Sequence, residues 1–279
     1  MEIKLPHDPG HFYSPIVNPA ECLSDEQRLW PSAPKLLGVD LNDASHIELL
    51  DAAFPKFLPD YDYPEVGDDA AGAFYTRNSQ FSWLDARSLF VLLRHWQPRR
   101  IIEVGSGYSS LLMADVNRRW FDGGIDITCI EPYPRPFLAA GIDGIGRLLT
   151  RRVQDVDQAA FDALAAGDLL FIDSSHVAKT GSDVNHLYFE VLPRLRAGVR
   201  VHIHDVFLPF EYKRDWVIEQ NRSWNEQYLL RALLMHSSAF RVRFGCEYAH
   251  RRWPDRVRAL LAHPRGVVYG GGSFWIERC

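Results

Sequence analysis

Lysine is scarce in this 279-residue chain: 5 of its 31 basic residues are Lys and 26 are Arg. The net charge of −5 leaves no global cationic field, which excludes the usual electrostatic grip on nucleic acid. Cysteine is sparse as well. Cys22, Cys129, Cys246 and Cys279 stand far apart with no C-x-x-C pair, so neither a zinc site nor a disulfide framework is indicated. No run approaches the ~18 apolar residues of a membrane span. The opening stretch MEIKLPHDPGHFYSP also lacks the basic-then-apolar pattern of a signal peptide. These absences lead to the expectation of a cytoplasmic protein with neither membrane nor nucleic-acid partners. The one local basic cluster, Arg251, Arg252, Arg256 and Arg258, reads as a solvated helix face. Internal repeats and low-complexity segments are missing too.

What is present is a chain with 47% hydrophobic residues, enough for a sizeable core. Residues 1–84 are irregular, rich in Pro, Asp and aromatics, and are expected to form a cap or lid, with a short periodic piece from Ala44 to Phe54. From residue 85 to 279 the text becomes regular. DARSLFVLLRHW reads as a helix with Asp85 as its N-cap, and IIEV as a buried strand that stops at glycine. Helix SSLLMADVNRRW follows. Strands are expected at Ile127–Ile130, Leu148–Val153, Leu169–Ile172 and Val199–Ile203, with helices at Gln158–Ala165 and Asp183–Leu195. This alternation predicts a Rossmann-like α/β fold, a doubly wound and mostly parallel sheet. Asn225–His236 reads as a helix. Phe240–Tyr248 and SFWIER, the latter after a GGG turn, are expected to close the sheet as an antiparallel hairpin.

The strongest motif is Glu103-Val-Gly105-Ser-Gly107-Tyr-Ser-Ser110 at the end of the first strand. Glycines there let backbone N–H groups approach a ligand at a helix N-terminus. A third glycine, which the dinucleotide fingerprint requires, is replaced by Ser110; this weighs against a nicotinamide-dependent oxidoreductase. The second strand ends directly in Glu131, where a carboxylate can accept both hydroxyls of a ribose. Two further strand tips carry polar chemistry: Asp173-Ser-Ser-His176 on the fourth and His202-Ile-His204-Asp205 on the fifth. Neighbouring tips of a parallel sheet open into one crevice, so these side chains are candidates for one site. The aromatic segments 207–212 and 224–228 are expected to shape a small-molecule pocket.

Taken together, EVGSGYSS, IEPYP, QDV, FIDSSH and HIHD resemble the class I S-adenosylmethionine-dependent methyltransferases, within them the bacterial branch related to catechol-type and macrolide-sugar O-methyltransferases. The resemblance is good over roughly residues 85–210 and weak over 1–74. It implies S-adenosylmethionine as cofactor and a small-molecule acceptor, and it leaves room for a homodimer. It places Glu103 near the methionine amino group, Gly105 and Gly107 against the ligand, Glu131 on the ribose, Gln154 or Asp155 at the adenine edge, and Asp173 beside the methyl group. Tyr75 and Asn78 fall in a stretch that folds over the cofactor. Metal-dependent members would hold one divalent ion at the positions of Asp173, His204 and Asp205, with His176 as catalytic base and Asp173 beside it. A histidine at a customary carboxylate position favours Mn, Fe, Zn or Ni over Mg. A non-catalytic binder of the same cofactor and a metal-dependent hydroxylase are the remaining rivals.

Overall fold

The structure is a computed structural model and describes residues 6–68, 72–261 and 271–279. The first five residues of the opening stretch, and Gly270 of the GGG turn, lie outside the described residues. Seven strands form one sheet: β1 (Arg100–Val104), β2 (Asp126–Ile130), β3 (Arg147–Leu149), β4 (Leu169–Ile172), β5 (Arg200–Ile203), β6 (Phe240–Gly245) and β7 (Phe274–Arg278), in the order β3-β2-β1-β4-β5-β7-β6. The first five run parallel, and β7 is antiparallel to both β5 and β6. The order reverses between β1 and β4, so the connections leave to opposite sides and a crevice opens at the carboxyl ends of those two strands.

Period-two alternation divides the core. Ile101, Ile127, Phe171 and Trp275 face the helices Trp83–Trp96 and Tyr108–Phe121. Ile102, Val104, Leu170, Ile172, Val201 and Ile203 pack against Val184, Leu187 and Val191 on the other face. The polar Glu103 and His202 lie on the first face. They bracket Phe171 in one lateral row, Glu103↔Phe171↔His202↔Trp275.

Several local expectations change. The helix Trp83–Trp96 begins one turn earlier than expected, with Ser82 at its N-cap position. Asp85 is therefore inside the first turn, buried, and its carboxylate accepts from the N–H groups of Gly272 (3.1 Å) and Ser273 (2.7 Å) instead of capping its own helix. The expected helix Asp183–Leu195 is three unlike segments in series: α-helical Asp183–His186, a π turn Leu187–Val191, and a 3₁₀ turn Leu192–Arg194 entered through Pro193. The terminal antiparallel pair exists, but not as a tight hairpin. Helices Cys246–Arg252 and Pro254–Leu261 intervene, and β7 inserts between β5 and β6.

Within 1–84, the periodic stretch becomes a helical run from Asp43 through Phe57. Leu49, Leu50, Ala53 and Phe54 join the main core, while Asn42 and His46 bond to Val242 and Gly245 of β6. Each arginine of the basic cluster faces a carboxylate: Arg251–Glu247, Arg252–Asp43, Arg256–Asp51 and Arg258–Asp255. Among the described residues, no helix is long and apolar enough to cross a membrane.

Candidate active site

A cavity of about 790 Å³ opens at the carboxyl ends of β1, β2, β4 and β5, within the size range of small-molecule sites. Its first half is the turn after β1. Gly105 has φ +78, and a Cβ there would overlap the carbonyl oxygen of Asp173, so the turn tolerates glycine alone. A Cβ on Gly107 would meet no protein atom within 4 Å; the room beside it is cavity. Glu131 reaches back across the tips, its carboxylate accepting from Ser106 N (3.2 Å) and Tyr133 N (2.7 Å).

Glu103 does not reach the cavity, contrary to the expected contact with a ligand amino group. Its position on β1 turns the carboxylate beneath the helix Tyr108–Phe121, where it is fully buried. It accepts from Ser109 Oγ (2.6 Å), Ser110 Oγ and Cys129 Sγ (3.2 Å). Burial pushes its pKa up to about 7 against the pull of those donors. Glu103 thus braces the glycine turn from behind.

Four other expected residues also lie off the cavity wall. Gln154 donates to Gly181 O (2.9 Å), and Asp155 forms an exposed pair with Arg152 (2.9 Å). Tyr75 stands edge-on behind Tyr108. Asn78 is buried and is consumed in holding its own loop: its side chain donates to Tyr75 O and Phe81 O and accepts from Gln80 N and Phe81 N. The residues that this turn presents to the cavity are Ser79 through Trp83.

The second half is an acid-and-histidine group. His176 Nε2 lies 3.3 Å from Asp173 Oδ1 and 3.4 Å from Asp205 Oδ2. Its Nδ1 is 2.9 Å from Glu226 Oε2, which also accepts from Ser174 Oγ (2.8 Å). A carboxylate on Nδ1 fixes the tautomer that carries its proton there and aims the Nε2 lone pair at the cavity. Two carboxylate oxygens then face that lone pair, which is repulsive unless a proton or a cation sits between them. Ligand atoms of Asp173, His176 and Asp205 lie within 4.8 Å of one another, a spacing suited to one metal ion.

His204, expected in that trio, stands between Asp85 and the tip carboxylates, its Nδ1 also 3.7 Å from Asp205 Oδ1. Its Nε2 is 3.6 Å from Asp85 Oδ2, its Nδ1 is 3.5 Å from Asp173 Oδ1, and Phe81 packs over the ring. His202 is a core residue, stacked on Phe171 at 3.7 Å and bonded to Ser273 Oγ at 3.0 Å.

The charge balance of the group is uneven. Four carboxylates (Asp85, Asp173, Asp205, Glu226) surround two imidazoles (His176, His204), so even with both rings protonated a charge of −2 remains. Burial lowers the affinity of both rings for protons. For His176, the bonds to Asp173 and Glu226 overcome that effect and hold it up to about 10, and His204 is held well above its ordinary value chiefly by Asp205 and Asp173. Burial pushes the Asp85 carboxyl up, yet His204 and Ser273 outweigh it and bring it to about 2. His176 and Asp205 also both have left-handed backbone, φ 60 and φ 55. Such strain costs of order 1–3 kcal/mol per residue and gathers at functional sites.

Sequence reading missed Asp85 and Glu226. Asp85 looked like a helix cap, and Glu226 was hidden inside an aromatic segment 50 residues from the histidine that it serves. A Glu that opens a helix with its side chain buried at 1% exposure is the signal, but burial is not written in a single sequence.

A family model described as a methyltransferase domain matches residues 102–206, which span β1 through the tip of β5. An uncharacterised protein of Archaeoglobus fulgidus is 37% identical over 161 residues, covering 56% of this chain and 72% of that protein. Among solved structures, a Klebsiella pneumoniae protein assigned as an O-methyltransferase aligns at 17% identity over 82% of this chain and 89% of its own, with a TM-score of 0.38. A Plasmodium falciparum protein assigned as a protein-L-isoaspartate O-methyltransferase, solved with S-adenosyl-L-homocysteine, aligns at 14% identity over 67% and 83%, with a TM-score of 0.30.

Proposed function

We propose that this chain, which belongs to one family with the Archaeoglobus fulgidus protein, is an S-adenosylmethionine-dependent methyltransferase that methylates an oxygen of a small-molecule acceptor. The observation that carries this reading is the convergence of Asp173, His176 and Asp205 on one cavity wall, in the same cavity as the glycine turn and Glu131. Methyl transfer is an in-line displacement at a sulfonium, so the protein must align the acceptor and take its proton. In this reading Glu131 accepts the ribose hydroxyls and Gly107 leaves room for the ligand beside the helix N-terminus. Asp173, whose backbone rests on Gly105, brings its carboxylate to the meeting point of the two halves.

The donor set fits a divalent cation at Asp173, His176 and Asp205: one imidazole, neutral when it serves as a ligand, with two carboxylates, in a group that stays anionic in every protonation state of its two rings. When bound, such an ion supplies Lewis acidity that lowers the pKa of a hydroxyl. The chain's own part is orientation. Glu226 holds a proton on Nδ1, which leaves Nε2 as the nitrogen that meets the cavity, and Trp224 packs against the His176 ring at 4.4 Å.

A second reading is favoured by the same Glu226–His176 bond at 2.9 Å, which is the geometry of an oriented general base; it requires that the arriving acceptor first release the Nε2 proton that Asp173 and Asp205 favour. The two readings assign Nε2 differently, to a cation or to the acceptor's proton. The test is release of S-adenosylhomocysteine from S-adenosylmethionine with a panel of phenols, hydroxy acids and sugars, with and without a strong chelator, alongside metal analysis. Activity that survives chelation in metal-free protein assigns His176 as the base; loss that is reversed by one divalent ion per chain assigns the ligand role. No turnover with any hydroxyl acceptor, against turnover with amines, overturns O-methylation.

A further inference from the structure

One part of the cavity is not used by the cofactor or by the acid-and-histidine group. It is the wall formed after β5 by Lys213, Trp216, Arg222 and Trp224. The Arg222 guanidinium lies 4.3 Å from the Trp216 ring centroid and 4.6 Å from that of Trp224. The Lys213 ammonium lies 4.6 Å from the same Trp216 ring. Two cations therefore share one indole at the wall of a cavity, and among the described residues neither has a carboxylate within ion-pair distance. Arg194, Arg214, Arg241, Arg251 and Arg252, by contrast, each face an acid. Glu211, the acid nearest in sequence to Lys213 on its N-terminal side, is engaged by Gln227 Nε2 and Tyr228 OH.

The wall is built, not draped. The Arg222 backbone N–H donates to Trp216 O (2.9 Å), closing the loop that returns Arg222 to the Trp216 ring. Trp216 stands edge-on to buried Phe207, and Trp224 leans on the His176 ring. Asn225 then ties the segment to the strand-tip loop, its N–H donating to His176 O (3.0 Å) and its Oδ1 accepting from Ala178 N (2.6 Å). Ring faces hold the cations by their quadrupoles but leave their hydrogen-bond donors free. Two like charges without a counter-charge, fixed at a concave surface, favour an anion between them and the cavity.

We propose that this wall is the anion subsite of the acceptor: the substrate carries a carboxylate or phosphate that Arg222 and Lys213 receive while its hydroxyl lies at Asp173, His176 and Asp205. The inference rests on the methyltransferase reading for which molecule is bound. The cofactor's own carboxylate is the poorer occupant. The segment follows β5, which is two strands from β1 and three from β2 in the sheet order, so at ~4.8 Å per strand it starts roughly 10 Å from the glycine turn and roughly 14 Å from Glu131.

The experiment titrates the full-length protein, saturated with S-adenosylhomocysteine, with benzoate, phenyl phosphate and the uncharged benzyl alcohol, by ligand-observed NMR. At least one anion is expected to bind tenfold or more tighter than benzyl alcohol, and that preference is expected to shrink as salt rises; benzoate against phenyl phosphate tells carboxylate from phosphate. The double variant Arg222→Gln with Lys213→Gln should erase the preference while keeping its melting temperature and its affinity for S-adenosylhomocysteine. Equal binding of all three probes, binding of neither anion, or a preference retained in the double variant overturns the subsite. If the unaltered protein does not bind S-adenosylhomocysteine at all, the methyltransferase reading fails. The anion preference, measured in the same protein without it, is then decided separately.

Discussion

The two halves of the cavity are built in opposite ways. The half around the glycine turn is local in sequence: Glu103 is bonded by Ser109 and Ser110, six and seven residues away, and Glu131 reaches Ser106 across 25 residues. The acid-and-histidine half is collected from afar. Asp85 meets Gly272 and Ser273 across 187 and 188 residues, and His176 meets Glu226 across 50. The first half buries one carboxylate among hydroxyls. The second crowds four carboxylates around two imidazoles and strains two backbones. The contrast separates a binding frame, which local rules can specify, from a reactive group that exists only in the folded molecule.

The residue that belongs to both halves should give the largest effect. Gly105→Ala forces a Cβ into the Asp173 carbonyl at a positive φ, so stability is expected to fall by about 4 kcal/mol, with cofactor affinity and turnover lost together. Thermal unfolding and S-adenosylhomocysteine titration on the same preparation check it. Loss of turnover alone would mean that the two halves are less tightly joined than the geometry requires.

His176→Ala should then break the second half by itself. The expected outcome is a fall in kcat of ~100-fold or more with S-adenosylhomocysteine affinity nearly intact. Near-normal kcat from pH 6 to 9 would demote His176 to a structural residue. Next in size, Glu131→Ala should break the first half, weakening S-adenosylhomocysteine by about 2 kcal/mol, or ~30-fold, in calorimetry. If saturating cofactor does not restore most of kcat, the division between frame and reactive group is too sharp.

The smallest effect sharpens the comparison through pH. Glu103 has its folded pKa raised to about 7 from an ordinary 4.5 by burial, so the folded state binds the proton more tightly than the unfolded one. Its contribution is present in full below about pH 4.5 and is lost as pH rises through about 7. Between pH 6 and 8 the unaltered protein should lose about 1.4 kcal/mol relative to Glu103→Gln, read from urea melts at each pH. A difference that does not change with pH would show that the Ser109, Ser110 and Cys129 donors hold the carboxylate charged throughout.

The same division explains what could be read from the sequence. The parallel alternation, the glycine turn and the Glu131 tip were legible because each is a local pattern of hydrophobic period or turn chemistry. Asp173 and Asp205 were legible as strand tips. The identity of the histidine that completes their group was not, because it depends on side-chain direction: His204, just past the end of β5, sets one nitrogen toward Asp85 and the other toward Asp173 and Asp205, while the left-handed backbone of His176 swings its ring back over the tips. Glu103 was misplaced because an acid two residues before a glycine turn looks the same whether its strand position faces the cavity or the helix beneath. Gln154, Asp155, Tyr75 and Asn78 were carried by resemblance, and here their side chains are spent on neighbouring backbone, an arginine or a ring.

The reach from Asp85 to Ser273 has a kinetic corollary. Closing a loop of 188 residues costs about 3 kcal/mol more chain entropy than closing one of seven, and contacts of such separation form late in folding. A refolding chain should therefore recover its grip on S-adenosylhomocysteine while the partner of Asp85 is still undocked, and turnover should lag behind. On the proposed reading, that interval is expected to show nucleoside binding without turnover, with turnover following once the segment that leads into β7 docks on Asp85.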